Sequence, residues 1–470
     1  MTQMTEAQAL FDILRKSADP QAAAAIVHLV QTGEDRELNR VNVLAFAKKA
    51  GIDEEKMIAA FLHAARLGIF ELSWNVLCPG CGGVLDANAT LKTVRQQEYS
   101  CALCAGEYEP TLDELVEVAF TVTPRVRPIA THKPDSLPMW EYVRQLYLSS
   151  GVDIPENYDQ IIQEITLDAM ELEPGEKGAM SLSLPAAFVI LFEPVTHAAH
   201  FFDVKGEPRR ERQNFSVVFN KVHTPTGTTE MQPGPVRIAL ENATDRRVLP
   251  ALWLAGHELH TLLMRRRPFL TAKRLLTNQT FRDLYRTETL EIDQRLKITS
   301  LTFLFTDLRG STALYERVGD LNAYDLVKAH FRVLHDIVAA EAGAVVKTIG
   351  DAVMATFPTP DHAVAAALKM RNAMHDLNGG GREDLLLKIG IHEGPCLAVT
   401  LNDRQDYFGQ TVNIASRVQN LAQSRAILAT EPVVEYPETA RLLEGANIQA
   451  QAQRMELRGI NEEVKIYEIP

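Results

Sequence analysis

Apolar residues recur every three or four positions through the first 75 residues. QALFDILRKSA, AAAAIVHLVQTG, VNVLAFAKKAGI and DEEKMIAAFLHAARLGIFELSW each gather them on one helical face. Asp53 stands where a helix N-cap belongs. The last piece, a helix running into the short strand IFELSW, has the rhythm of a winged helix, so residues 1–76 are assigned to a winged-helix-like segment. From about 115 to 270 the runs shorten: VEVAFTVTPRV, AAFVILFEPV, AHFFDVKG, NFSVVFN, PVRIALENAT and RVLPALWLAG, broken by Pro and Gly. Short runs between turn residues predict an antiparallel, sandwich-like β-domain. A Pro- and Glu-rich insertion near 132–180 fits neither rhythm. Residues 276–294, LTNQTFRDLYRTETLEIDQ, read as a polar connecting helix within 271–296.

Beyond 297 the two rhythms alternate. ITSLTFLFT (298–306) predicts a strand, and residues 321–342 a helix with Val327, Phe331, Leu334 and Val338 on one face. VVKTIGDAVMATF (345–357) predicts a hairpin turning at Gly350-Asp351. The expected architecture is a multidomain α+β chain.

The totals narrow the function classes. A net charge of −13 argues against a general nucleic-acid or anionic-membrane binder. The helical segment 1–77 carries eight Lys/Arg against ten Asp/Glu, the wrong balance for a DNA reader. The best apolar run, PAAFVILF (185–192), is strand-sized and far short of the roughly 20 residues a membrane span needs. MTQMTEAQAL is not a signal peptide. The expectation is a cytoplasmic protein with no membrane segment, in which the sequon Asn242-Ala-Thr244 carries no meaning.

Four of the five cysteines form one motif: Cys78-Pro-Gly-Cys81, nineteen residues, then Cys101-Ala-Leu-Cys104. Two such knuckles can bring four thiolates around a structural Zn2+, which predicts a zinc ribbon over 77–114. With all four positions taken by Cys, a catalytic zinc is not expected. Cys396 stands alone and reads as a small buried apolar residue. His257-Glu258-Leu259-His260 lacks the spacing that puts two histidines on one helical face, so no metal site is assigned there. Arg265-Arg266-Arg267 reads as a solvated or interdomain surface.

The strand ending at Asp307 is followed by Leu308-Arg309-Gly310 and by Ser311 or Thr312 opening a helix, a place for phosphate beside a carboxylate. The hairpin lets Asp351 lie beside Asp307 across neighbouring strands. Two carboxylates at strand ends can hold two Mg2+ or Mn2+ about 3.5–4 Å apart, a clamp for in-line attack at phosphorus. In DYFGQTVNIASRVQNLA (406–422), Asn413 and Arg417 share a helical face at i, i+4, while Ile414, Val418 and Leu421 take the core face.

FLFTDLRGST, VVKTIGDAVMATF, IGIHEGP and DYFGQTVNIASR, in this order and spacing, resemble the catalytic domain of class III nucleotidyl cyclases over 297–470. The first 295 residues look like the regulatory portion of some soluble bacterial members. The resemblance implies a ferredoxin-like α/β cyclase domain working as a homodimer on ATP. It implies Asp307 and Asp351 as ligands of two metal ions, Lys347 and Asp406 as readers of the base, and Asn413 and Arg417 as transition-state residues. The metal pair and the other four would come from opposite subunits, so Lys347 and Asp351, four residues apart, would serve different sites. One departure stands out: ELRGINEEVKIY (456–467) has Ile460 where many members carry a triphosphate-binding Lys, leaving Arg458 or Lys465 as substitutes. A catalytically weak nucleotide-sensing module and a guanylate cyclase remain the alternatives, and no regulator of the amino-terminal region can be named.

Overall fold

A computed structural model describes residues 2–95, 98–220, 227–286, 290–291, 294–308, 316, 319–377, 386–422, 426–460 and 463–470. The chain divides into two compact units, Met1–Pro110 with Leu115–Leu270, and Thr111–Glu114 with Thr271–Pro470. Among the described residues no helix is long and apolar enough to cross a membrane.

The first unit begins with α1 (Thr2–Ser17), α2 (Pro20–Thr32), α3 (Val43–Ala50) and α4 (Glu54–Arg66). Asp19 and Asp53 cap α2 and α4, each carboxylate accepting backbone N–H bonds of the first turn. Phe61 of α4 is fully buried against Phe46, Phe70 and Phe120. β1 (Phe70–Leu77) follows, then β2 (Val84–Asn88) and the small hairpin of β3 (Tyr99–Cys101) and β4 (Gly106–Tyr108). VEVAFTV forms β5 (Val116–Val122), which pairs with β1 rather than joining the sandwich as the sequence suggested. The reason is chemical. Glu117 is fully buried in this strand, and only here do the Asn75 amide and the Ser150 N–H and hydroxyl satisfy its carboxylate.

The unplaced insertion folds as α5 (Met139–Tyr142), α6 (Tyr158–Ile165) and β6 (Thr166–Ala169). Met139, Val143, Tyr147, Tyr158 and Ile162 pack with Ile190, Phe192 and Trp253 of one sheet. The sandwich comprises β7 (Lys177–Leu184), β8 (Phe188–Glu193), β9 (Ala198–Val204), β10 (Gln213–Phe219), β11 (Thr228–Met231), β12 (Gly234–Asn242) and β13 (Ala251–Leu254), closed by α7 (His257–Met264). Its sheets run β10-β12-β7 and β11-β9-β8-β13-β6 and share one apolar core. It is not purely antiparallel as expected. β10 and β12 are parallel, as are β9 and β11, because each pair is separated in sequence by a strand of the opposite sheet, so the chain returns in the same direction.

In the second unit the described part of the expected connecting helix is two short ones, α8 (Ala272–Leu276) and α9 (Gln279–Leu284), and residues 287–289 and 292–293 of that expectation lie outside the described residues. Thr271 caps the first, and Asn278 caps the second by accepting from the Phe281 N–H, so the polar Thr277-Asn278 step breaks the helix. Then come β14 (Leu296–Leu308), α10 (Asp320–Ala340), β15 (Ala344–Ile349), β16 (Ala352–Phe357), α11 (Pro360–Leu377), β17 (Leu387–Leu401), β18 (Arg404–Phe408), α12 (Gln410–Leu421), β19 (Ile427–Thr430), α13 (Glu431–Val434), α14 (Pro437–Gly445), β20 (Gln451–Met455) and β21 (Val464–Ile469). The sheet order is β15-β16-β14-β17-β19-β21-β20, with β18 on β17. Its first four strands in that order, connected through α10 and α11, make the ferredoxin-like arrangement.

On α10, Val327, Leu334 and Val338 are buried and Phe331 is partly so, as the helical period required. On the other face of the sheet, Val418 of α12 is buried against Leu428 and Ile466, with Ile414 and Leu421 at the margin. Gly390 lets α12 come this close: a Cβ there would lie 2.2 Å from the Gln419 backbone nitrogen.

Candidate active site and metal centres

Asp307 ends an almost wholly buried strand. Register pairs Thr306 with Val353 on one side and Asp307 with Lys388 on the other. Asp351 precedes β16 at the hairpin turn, so the two acids lie diagonally across neighbouring strands, near enough for the charge of one to act on the other. Burial pushes the Asp307 carboxyl above its ordinary range, and the nearby charge of Asp351 pushes it further, while Lys388 and the Gln419 amide pull the other way. Oδ2 of Asp351 is buried and without a hydrogen-bond partner among the described residues. Two acids side by side, one with an orphaned oxygen, fit a divalent cation. Arg309 and Gly310 of the predicted turn, and the helix start at Ser311 or Thr312, lie outside the described residues.

Lys347 does not pair with Asp351. Its ammonium instead forms an ion pair with Oδ2 of Asp406, 59 positions along the chain. A bulge between Val345 and Lys347 shifts the register of β15 and re-aims the lysine. Asp406 is buried, and the Tyr407 N–H donates to its other oxygen at 2.8 Å. One end of this pair can only donate and the other only accept. The hairpin thus presents its two charges to different groups of the chain.

On α12, Asn413 is exposed and Arg417 half-buried. The Arg417 guanidinium faces the tight turn at Gly459, where φ is +75° and a Cβ would stand 3.5 Å from Nη2. Lys465, one of the two candidates for a triphosphate clamp, is already occupied: its ammonium lies 2.6 Å from Glu431 and 3.1 Å from Glu435. Arg458 is exposed.

Three neighbours of the site carry no signal in the sequence. Lys388 is visible only once the register is known. Gln419 sits buried on the sheet-facing side of α12, where its amide reaches Asp307. His330 is a buried imidazole on α10 beside Asp351, with burial pushing it down to about 4.

The four thiols of the first unit also converge. The sulfurs of Cys78, Cys81, Cys101 and Cys104 lie within 4.8 Å of one another. Cys81 and Cys101 are 3.6 Å apart, too far for a disulfide of about 2.05 Å. That separation instead matches the edge of a tetrahedron built on metal–sulfur bonds of about 2.3 Å. The Gly83 N–H donates to the Cys81 sulfur, and a Cβ on Gly80 would press to 2.9 Å from the Cys104 sulfur. The residues fit Zn2+. Arg265–Arg267 are exposed, as expected of a solvated surface, and each also makes a bond. Arg265 pairs with Asp153, Arg266 donates to the Gly80 carbonyl inside the knuckle, and Arg267 donates to the Ser150 carbonyl. Cys396 is buried and pushed up to about 12, an inert core thiol.

Residues 294–470 match the family described as adenylate and guanylate cyclase catalytic domain, and residues 4–283 match a family of unknown function, DUF5939. An adenylate cyclase of Anabaena cylindrica is 28% identical over 185 residues, covering 36% of this chain and 36% of that protein. One of Streptomyces coelicolor is 34% identical over 146 residues, covering 31% of this chain and 34% of the relative. The chain therefore spans little more than a third of the length of these curated relatives. The crystal structure of the adenylyl cyclase CyaB from P. aeruginosa is 26% identical, with a TM-score of 0.33, over 38% of this chain and 96% of that one. The chain belongs to the DUF5939 family, and residues 294–470 form a class III nucleotidyl cyclase catalytic domain.

Proposed function

We propose that the chain is an adenylate cyclase, acting as a homodimer on ATP to give 3′,5′-cyclic AMP and pyrophosphate. The observation that carries this is the separation of duties on one hairpin: Asp351 lies with Asp307, whereas Lys347 lies with Asp406. Bound between Asp307 and Asp351, Mg2+ or Mn2+ would offset the triphosphate charge and activate the ribose 3′-oxygen. Asn413 orients the ribose and Arg417 stabilises the charge that develops at the α-phosphate. The 3′-hydroxyl gives its proton to water or to a substrate phosphate oxygen, and its oxygen bonds to the α-phosphorus as the bond from that phosphorus to the α,β-bridging oxygen breaks, so that pyrophosphate leaves.

Base choice follows from hydrogen-bond polarity. Adenine accepts at N1 and donates at N6, which suits an ammonium beside a carboxylate. Guanine reverses both. Two mismatched polar contacts at about 1–3 kcal/mol each favour ATP about a hundredfold or more.

Leu321, Tyr324, Ile349, Leu401 and Phe408 are large apolar residues left exposed in the catalytic unit, and a second copy that covered them would bury apolar area. The metal pair of one protomer would then face the four remaining residues of its partner. The first unit would act as the regulatory portion. Assay of the full-length protein with ATP and GTP side by side, with Mn2+, tests the reading. Cyclic AMP and pyrophosphate are expected. Nucleotide binding without pyrophosphate release would make it a sensing module, and GTP preferred over ATP a guanylate cyclase.

A further inference from the structure

Lys347 and Asp406 sit on strands that share no ladder: β15 pairs with β16, and β18 pairs with β17. Their own ion pair is not the only link between these strands. Nη2 of Arg282, on α9, donates to the Val346 carbonyl at 3.4 Å and to the Gln405 carbonyl at 3.0 Å. These are the carbonyls of the peptide units that enter Lys347 and Asp406. One guanidinium therefore ties together the two planes from which the base-reading side chains spring. A second bond from the same helix supports it, because Oε1 of Gln279 accepts from the Val345 N–H at 2.8 Å. β15 is the edge strand of the sheet, and α9 takes the place of a further strand there.

We infer that Arg282 is a positioning residue for purine recognition, holding Lys347 and Asp406 at the spacing that reads adenine. This rests on the assignment of that pair as the base reader. Arg282 lies at the end of the segment that matches DUF5939, residues 4–283, yet it belongs to the compact catalytic unit. The last helix of the amino-terminal family region thus supplies a part of the nucleotide site, and any displacement of α9 changes the spacing of the reading pair. Coupling of this kind would act on nucleotide affinity and choice more than on the chemical step.

The test compares Arg282→Gln, Arg282→Lys, Gln279→Ala and Lys347→Ala in the full-length protein. It measures binding of 3′-deoxy-ATP and 3′-deoxy-GTP, which lack the attacking hydroxyl, together with KM and kcat for ATP. Arg282→Gln is expected to reduce the preference for the adenine analogue about tenfold through misplacement of the pair, chiefly in KM. Arg282→Lys should restore part of it. Gln279→Ala removes a bond from the same helix and should move thermal stability without moving selectivity. The inference is overturned if Arg282→Gln, or Arg282→Lys should the former not fold, keeps wild-type selectivity while Lys347→Ala loses it. If Lys347→Ala also keeps it, the base-reading assignment itself fails and the inference with it.

Discussion

The ammonium of Lys347 is held by the carboxylate of Asp406 within one chain, and Asp406 is almost fully buried whereas Lys347 is 40% exposed. A buried acid paired to a half-exposed base makes a polarised pair, and in the proposed reading its direction decides which purine edge fits. Inverting one end of it should weaken the choice. Lys347→Glu places an acceptor where adenine N1 needs a donor and leaves Asp406 facing a second carboxylate. ATP turnover should fall about tenfold or more, with GTP use falling less, since one of the two polar contacts changes sign while Asp406 still accepts. Steady-state kcat/KM for both nucleotides checks it. An unchanged ATP:GTP ratio would remove the pair from base recognition.

The cysteine cluster predicts a metal content. One zinc per chain should be found by elemental analysis of the full-length protein. Cys101→Ser or a strong chelator should release it and lower the unfolding transition of the first unit by about 10 °C or more, because the metal's binding energy is part of the folding energy. Wild-type stability in zinc-free protein would contradict the assignment. If the first unit is regulatory, the same variant should alter the response of the cyclase activity while leaving the catalytic unit folded.

Acidification should weaken the catalytic unit through His392 on β17. Burial pushes this imidazole down to about 4, and its Nδ1 lies 2.7 Å from the Thr430 hydroxyl. The unfolded chain, with an ordinary value of about 6.5, takes up a proton that the folded chain refuses. The stability is therefore fully present above about pH 6.5 and is lost as pH falls toward 4, by up to about 3 kcal/mol. Denaturant unfolding at pH 7.5 and pH 4.5 should show His392→Gln losing less stability than the wild type. Equal losses would mean that His392 is not buried neutral.

Periodicity and motif spacing made the catalytic domain legible, because Asp307, Asp351, Asn413 and Arg417 lie in elements whose faces are fixed by apolar neighbours. The four cysteines were legible for a different reason: their spacing is a ligand pattern. What stayed hidden depended on pairings between distant segments. VEVAFTV has two apolar faces and one buried acid, and nothing in its own sequence says that its partner is β1. The parallel strand pairs of the sandwich follow from crossings between sheets, which period-two alternation does not record. Arg282 and Gln419 act through backbone carbonyls and a cross-sheet neighbour, and no local pattern marks either. Nothing in ELRGINEEVKIY marks the pairing of Lys465 with Glu431 and Glu435.

The central claim is that each active site joins the acids of one protomer to Arg417 of the other. The most direct measurement mixes purified Asp307→Ala and Arg417→Ala proteins, each inactive alone, under conditions that allow subunits to exchange. Random pairing gives one intact site in each mixed dimer, so activity should return to about a quarter of the wild-type level. A mixture that stays inactive after exchange has been verified would contradict the shared site.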